Sequence, residues 1–405
     1  MPRLLQINST VNSASTGRIA EQIGALAMKA GWDSYIAYGR SACKSQSQVI
    51  RIGNVFSVKE HGFESLLLDN HGLSSSRATR EFMGRIKDVS PDIVHLHNIH
   101  GYYINYRELF GCLSRLGIPV VWTLHDCWAY TGHCSHYADI DCKKWQKQCG
   151  QCPKFHNYPK SLFWDRSERN YRIKKECFNS ITNLTIVPVS HWLEEEVKKS
   201  FLAKHNIHCI LNGIDTELFK PKKNLDGLRD LYGLNGKKIL LGVATAWGPR
   251  KGWTDYIKLS GMLPNDYQII MVGVTEKQAK ELPSNILIIK RTESVEKLAE
   301  LYSVADVVLN LSDEESFGLT TAEGFACGTP SIVYNCTASP ELITMETGAI
   351  LEKGDFEGVV KAIHTITANG KEHYSEKCRE RAVSLYDKNK NYSQYINLYN
   401  ELLSK

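Results

Sequence analysis

The sequence has no run approaching the roughly 18 consecutive apolar residues of a membrane-spanning helix. Its N-terminus, MPRLLQINST, lacks the apolar core of a secretory signal, so the chain is expected to stay in the cytoplasm. Residues 4–8 (LLQIN) read as a buried strand entering a polar loop. That loop holds no G-x-G-x-x-G, which disfavours a dinucleotide-dependent dehydrogenase. Charge of one sign is in small excess: 49 Lys and Arg against 44 Asp and Glu give +5. This permits docking on an anionic surface and makes no case for nucleic acid. What remains is an ordinary globular composition, 42% hydrophobic and 23% charged, in 405 residues, enough for two domains.

The most informative stretch is residues 311–342, LSDEESFGLTTAEGFACGTPSIVYNCTASPEL. Residues 307–311 read as a short buried strand, 312–318 as a polar loop ending in glycine, and 319–326 as a helix carrying Glu323. Gly328-Thr329-Pro330 is a stop, and 331–334 is a second strand. The sum is one parallel crossover unit. The amides of Phe317, Gly318 and Leu319 then stand at a helix N-terminus, where free donors and the helix dipole suit a phosphate. Glu315 and Glu323 flank that anion site. Carboxylates repel a bare phosphate but accept well from the hydroxyls of a sugar and a ribose. A solvated loop beside a core helix has the same spacing, so the glutamates alone leave both readings open.

Glu315 and Glu323, with FGL between them and ACGTP after them, resemble the E-x7-E motif of retaining glycosyltransferases of family 4. The resemblance implies an α/β GT-B fold: two Rossmann-like domains facing across a cleft, with a C-terminal helix crossing back to the first. It implies that Glu323 holds the ribose of a UDP or GDP sugar, that Glu315 holds the transferred sugar, and that the FGL amides contact sugar and diphosphate. The family's NGID hinge turn stands at Asn212-Gly213-Ile214-Asp215. The expected division is an acceptor-side domain over 1–215, a nucleotide-sugar-binding domain over 216–385 and the returning helix over 386–405.

In the first half, Gly17 opens a helix running to about residue 30; in the family this loop faces donor phosphates or acceptor, so Gly17 is a ligand contact or a plain helix start. Residues 46–76 show no clear period. Residues 92–97 (DIVHLH) form a strand, and ligands bind outside the C-terminal ends of such strands. His97, Asn98, His100, Tyr102 and Tyr103 are therefore a candidate acceptor surface. The next strand, 120–124, ends at His125-Asp126. TLHD resembles the family's N-domain active-site edge, where a His contacts the transferred sugar, so His125 is assigned a catalytic role; Asp126 orients it or starts the next helix. An insert over about 127–160 carries Cys134, Cys142, Cys149 and Cys152 as C-x7-C-x6-C-x2-C. In a reduced compartment four thiolates suit a structural zinc, with free thiols as the alternative. A similar insert occurs in a subgroup resembling colanic-acid and capsule transferases. Its Lys143, Lys144, Lys147, Lys154 and Lys160 could touch anionic lipid at the inner membrane face, or form a solvated loop. A helix is read over 158–178, and 184–190 as the last strand of this domain.

The second domain opens with strand 238–244, then TAWGPRKGW. Arg250 and Lys251 there could clamp a diphosphate and take up charge as it leaves, with Trp247 as a cover. The family has an Arg five residues before its Lys. That position is Ala246 here, so Lys251 carries over and Arg250 is an approximate substitute. No D-x-D stands at the donor stretch, so catalysis is expected to need no cofactor. The function implied is transfer of a sugar from a nucleotide diphosphate to a glycan or lipid-linked glycan, in bacterial surface polysaccharide assembly. Alternatives are a GT-B nucleotide-sugar epimerase and a non-catalytic nucleotide-sugar-binding subunit.

Overall fold

The computed structural model describes all 405 residues. The chain divides into two units, residues 1–211 with 391–405, and residues 212–390. In both, short apolar strands alternate with helices, the pattern that gives parallel sheets covered on both faces. The first unit has β1 (Arg3–Asn8), β2 (Asp33–Tyr38), β3 (Gln48–Arg51), β4 (Ile93–Leu96), β5 (Val120–Leu124), β6 (Leu184–Pro188) and β7 (Asn206–Ile207). Their spatial order is 3-2-1-4-5-6-7, and every pairing is parallel. The second unit has β8 (Lys238–Val243), β9 (Tyr267–Val272), β10 (Ile286–Ile289), β11 (Val307–Asn310), β12 (Ser331–Tyr334) and β13 (Gly348–Leu351), in the order 10-9-8-11-12-13, again all parallel. Each sheet reverses its winding once, between β1 and β4 and between β8 and β11. Ligands of open α/β sheets bind at such reversals, outside the strand C-termini.

The last helix, Lys388–Leu403, returns to the first unit as expected. Its Tyr392, Tyr395, Ile396, Leu398 and Tyr399 join the core formed by Leu4, Ile23, Ile93 and Val121. Where this helix leaves the second unit, Ile214 N–H donates to Tyr386 O (2.7 Å) and Lys388 N–H to Ile214 O (2.9 Å). These bonds clip the two crossing segments together. The division therefore falls at residues 211 and 391, not at 215 and 386.

Some elements differ from the sequence reading. Residues 46–76 contain β3 and a helix, Val55–Leu68, whose Asn54 cap accepts Ser57 N–H (3.0 Å). The first helix starts at Ala14, which places Gly17 inside its first turn. The helix read over 158–178 is confined to Ser167–Phe178, and β7 adds a strand beyond the one read as last. No helix is long and apolar enough to cross a membrane.

Candidate active site

At the winding reversal of the second unit, the loops after β8 and β11 are fastened together. Gly252 has φ +74°, and a Cβ there would lie 2.3 Å from Leu311 O, so no other residue allows this approach. Asp313 N–H donates to Arg250 O (2.9 Å), and Arg250 Nη1 donates to Glu314 O (3.0 Å). The result sets Lys251 Nζ 2.5 Å from Glu315 Oε1. Burial pushes the Glu315 carboxyl up, but the charge and hydrogen bond of Lys251, with Arg250 nearby, outweigh it and hold the group below its ordinary value. Thr337 Oγ1 accepts from Glu315 N–H and donates to Glu315 O, both at 2.8 Å, which fixes the backbone under that carboxylate.

Gly318, at φ +103°, turns the chain into the helix Leu319–Ala326, whose first amides have no partner within the helix. Phe317 is buried, edge-on to Tyr386 at 5.5 Å, and anchors the turn. Glu323 lies one turn on, and Tyr302 Oη donates to its Oε2 (2.8 Å). Arg250, Lys251, Glu315, Phe317, Gly318, Leu319 and Glu323 thus share one corner of this unit. Trp247 is not a cover: its Nε1–H donates to Val272 O (2.9 Å) and its ring packs edge-on against Tyr256.

At the winding reversal of the first unit, His97 follows β4 and His125 follows β5. His97 is 1% exposed, with Nε2 3.0 Å from Gln6 Oε1 and Nδ1 3.1 Å from His125 Nε2. It therefore lies beneath the proposed acceptor surface instead of on it. Tyr103 is likewise core, with its hydroxyl donating to Asn98 O (2.8 Å). Asn98, His100 and Tyr102 remain partly exposed. Asp126 pairs with His100, not His125: its Oδ2 is 2.9 Å from His100 Nε2, and its Oδ1 accepts from Trp128 N–H (2.9 Å). Tyr158 Oη lies 3.1 Å from His100 Nδ1. Burial lowers the His125 imidazole to about 4, so it is neutral at pH 7. Gly17 is buried beside Thr10 and its carbonyl accepts from Asn12 N–H (3.1 Å). Gln6, Tyr158, Tyr302 and Thr337 escaped the sequence reading. Of these only Gln6 leaves a signal, an amide in the middle of an apolar strand.

The insert is tied to the end of the helix Val55–Leu68 through Asp69, which takes His133 Nδ1 (2.7 Å) and Arg166 N–H (2.8 Å). Buried Lys174 donates to Trp128 O (2.7 Å) and Thr131 O (3.0 Å). Cys134 and Cys152 share a side-chain hydrogen bond, and Cys149 Sγ accepts from Gly132 N–H (3.1 Å). No three of the four sulfurs lie within 4.8 Å of one another; His191, Glu194 and Cys209 are the one such group of possible ligands. Three of the five insert lysines bond within the insert: Lys143 to Asp141, Lys144 to Gly150 O and Gln151 O, and Lys154 to Asp139. This reduces the basic surface expected there.

Residues 17–218 match the family described as Glycosyltransferase Family 4, and residues 227–384 match Glycosyl transferases group 1. The chain is 24% identical over 246 residues to a putative colanic acid biosynthesis glycosyl transferase, WcaC, of Escherichia coli K12. That match covers 57% of this chain and 59% of WcaC, so the chain spans less than two thirds of that relative's length. In fold it is similar to sucrose-phosphate synthase from Thermosynechococcus elongatus, with a TM-score of 0.74, 17% identity and 100% of both chains covered. It is also similar to Anabaena HepE in complex with UDP and glucose, with a TM-score of 0.68, 14% identity, and 99% of this chain and 100% of that one covered.

Proposed function

Since the chain belongs to the family-4 type of GT-B glycosyltransferases, we propose that it moves a sugar, with retention, from a nucleotide diphosphate to a glycan or lipid-linked glycan in surface polysaccharide assembly. The observation that carries this is the Lys251–Glu315 pair set beside the open N-terminus of the helix Leu319–Ala326. A diphosphate finds there the first-turn amides and two cations, Arg250 and Lys251, which take up charge as the sugar–phosphate bond breaks. Glu315 stays ionised and accepts sugar hydroxyls. Glu323, steadied by Tyr302, is the carboxylate that would accept from a ribose diol. Asn98, His100 and Tyr102 form the acceptor side. The fold neighbour that holds UDP and glucose supports a nucleotide-sugar donor.

Two structural attributes belong to the same reading. Phe163 and Trp164 are 71% and 57% exposed next to exposed Lys160, which supports peripheral contact with the inner membrane face. The spacing of Cys134, Cys142, Cys149 and Cys152, with one N–H···S bond already in place, supports a structural zinc that would draw the sulfurs together. The test of the donor site is thermal stabilisation by UDP- and GDP-sugars. A donor at a hundred times its Kd adds about 2.7 kcal/mol to the native chain, and both Lys251→Ala and Glu323→Ala weaken the effect. Equal stabilisation of all three proteins, or of none by any donor, counts against the assignment.

A further inference from the structure

We infer that Gln6 and His97 set the tautomer of His125, so that His125 meets a bound sugar as a hydrogen-bond acceptor and selects a neutral hydroxyl or amide N–H over a carboxylate. The inference rests on the glycosyl-transfer reading only for the identity of the ligand. Its first link is the Gln6 amide. Gln6 Nε2 donates to Ala20 O (2.8 Å), so the other end, Oε1, faces His97 Nε2 at 3.0 Å. Flipping the amide would set two carbonyl oxygens against each other, which fixes the assignment. An amide oxygen only accepts, so the proton of His97 is on Nε2. His97 is buried and neutral, which leaves its Nδ1 as a bare lone pair. That lone pair lies 3.1 Å from His125 Nε2, so His125 carries its proton there. Neutral His125 then presents Nδ1 as an acceptor, and no protein group bonds to it.

The relay has a rigid support. His95 lies in β4 and His97 directly after its last residue, on the same side, and their rings lie 4.0 Å apart. Thr123 Oγ1 donates to Tyr395 Oη (2.9 Å), so it accepts from His95 Nε2 (2.7 Å). Tyr399 Oη donates to His95 Nδ1 (2.6 Å). The returning C-terminal helix therefore holds His95 neutral and in place against His97. Gln6 and His97 touch no substrate in this account; they are positioning residues acting through His125.

Histidine tautomers are read directly from long-range proton–nitrogen spectra of the full chain labelled with 15N-histidine, the His125 signals being assigned by their loss in His125→Ala. The native chain should show His125 protonated on Nε2 with no donor added. Gln6→Met removes the acceptor, frees His97 to protonate Nδ1, and should move the His125 proton to Nδ1. With a neutral-sugar donor, the same variant should raise KM about 3- to 10-fold, the value of one hydrogen bond. A native spectrum with His125 protonated on Nδ1 overturns the inference, and so does a folded Gln6→Met chain that keeps the Nε2 proton. If Gln6→Met does not fold, the native spectrum decides alone. The spectrum needs no turnover, so it stands apart from any failure of the glycosyl-transfer reading.

Discussion

Lowering the pH from 7.5 to 5.5 should unfold the first unit selectively. His61, His71, His95 and His97 are at most 3% exposed, and burial holds His61 at about 3 and the other three well below the ordinary histidine value. Unfolded histidine titrates near 6.5. A group whose folded pKa is depressed binds more protons when unfolded, so its stability contribution is present above about pH 6.5 and is lost as pH falls below it. At pH 5.5 each such histidine has lost about 1.4 kcal/mol, and with His125, held by burial at about 4, the five together about 7 kcal/mol, the scale of a whole domain's stability. His133 runs the other way: burial lowers it, but its bond to Asp69 raises it further, so acid restores a part of the loss. The two histidines of the second unit, His364 and His373, are exposed. Native-state hydrogen exchange, corrected for intrinsic rates, separates the units. Amides of β4 and β5 should lose about 7 kcal/mol of opening free energy, and those of β8 and β11 should lose little. A loss under about 1 kcal/mol in the first sheet, or an equal loss in both, would refute the reasoning.

Gly252→Ala should destabilise the second unit by about 1–3 kcal/mol through its left-handed backbone and the overlap with Leu311 O, and should abolish donor stabilisation; unchanged melting would contradict the loop geometry. Metal analysis of the purified chain should find one zinc per molecule, lost in Cys149→Ser and Cys152→Ser. A folded native chain without zinc would leave the cysteines as plain thiols.

The corner that holds Glu315 and Glu323 is the most legible part of the sequence. The helix read over residues 319–326 is the one that forms, because strand, loop, glycine and stop signal follow each other without ambiguity. The helix Val55–Leu68 offers no readable core stripe because the residues it buries, His61 and Ser65, are polar, while Phe56 and Phe63 stay exposed. The sequence does not show that His97 and Tyr103 are buried, because a strand-end position does not say which way a side chain points. Contacts between distant residues, such as Thr337 with Glu315 or Gln6 with His97, have no local signature at all. The helix does not open at Gly17 because the turn at Asn12 and Ala14, both with positive φ, starts it earlier than a glycine rule suggests.

Turnover of a nucleotide sugar at Lys251 and Glu315 is read from release of nucleoside diphosphate from a panel of UDP- and GDP-sugars in the presence of lipid-linked glycan acceptors. The native chain should release it from one donor class, and Lys251→Ala should be slower by about 100-fold or more, as for loss of one charge-stabilising group. Tight donor binding with no release from any donor would contradict the account and leave a nucleotide-sugar-binding protein without catalysis.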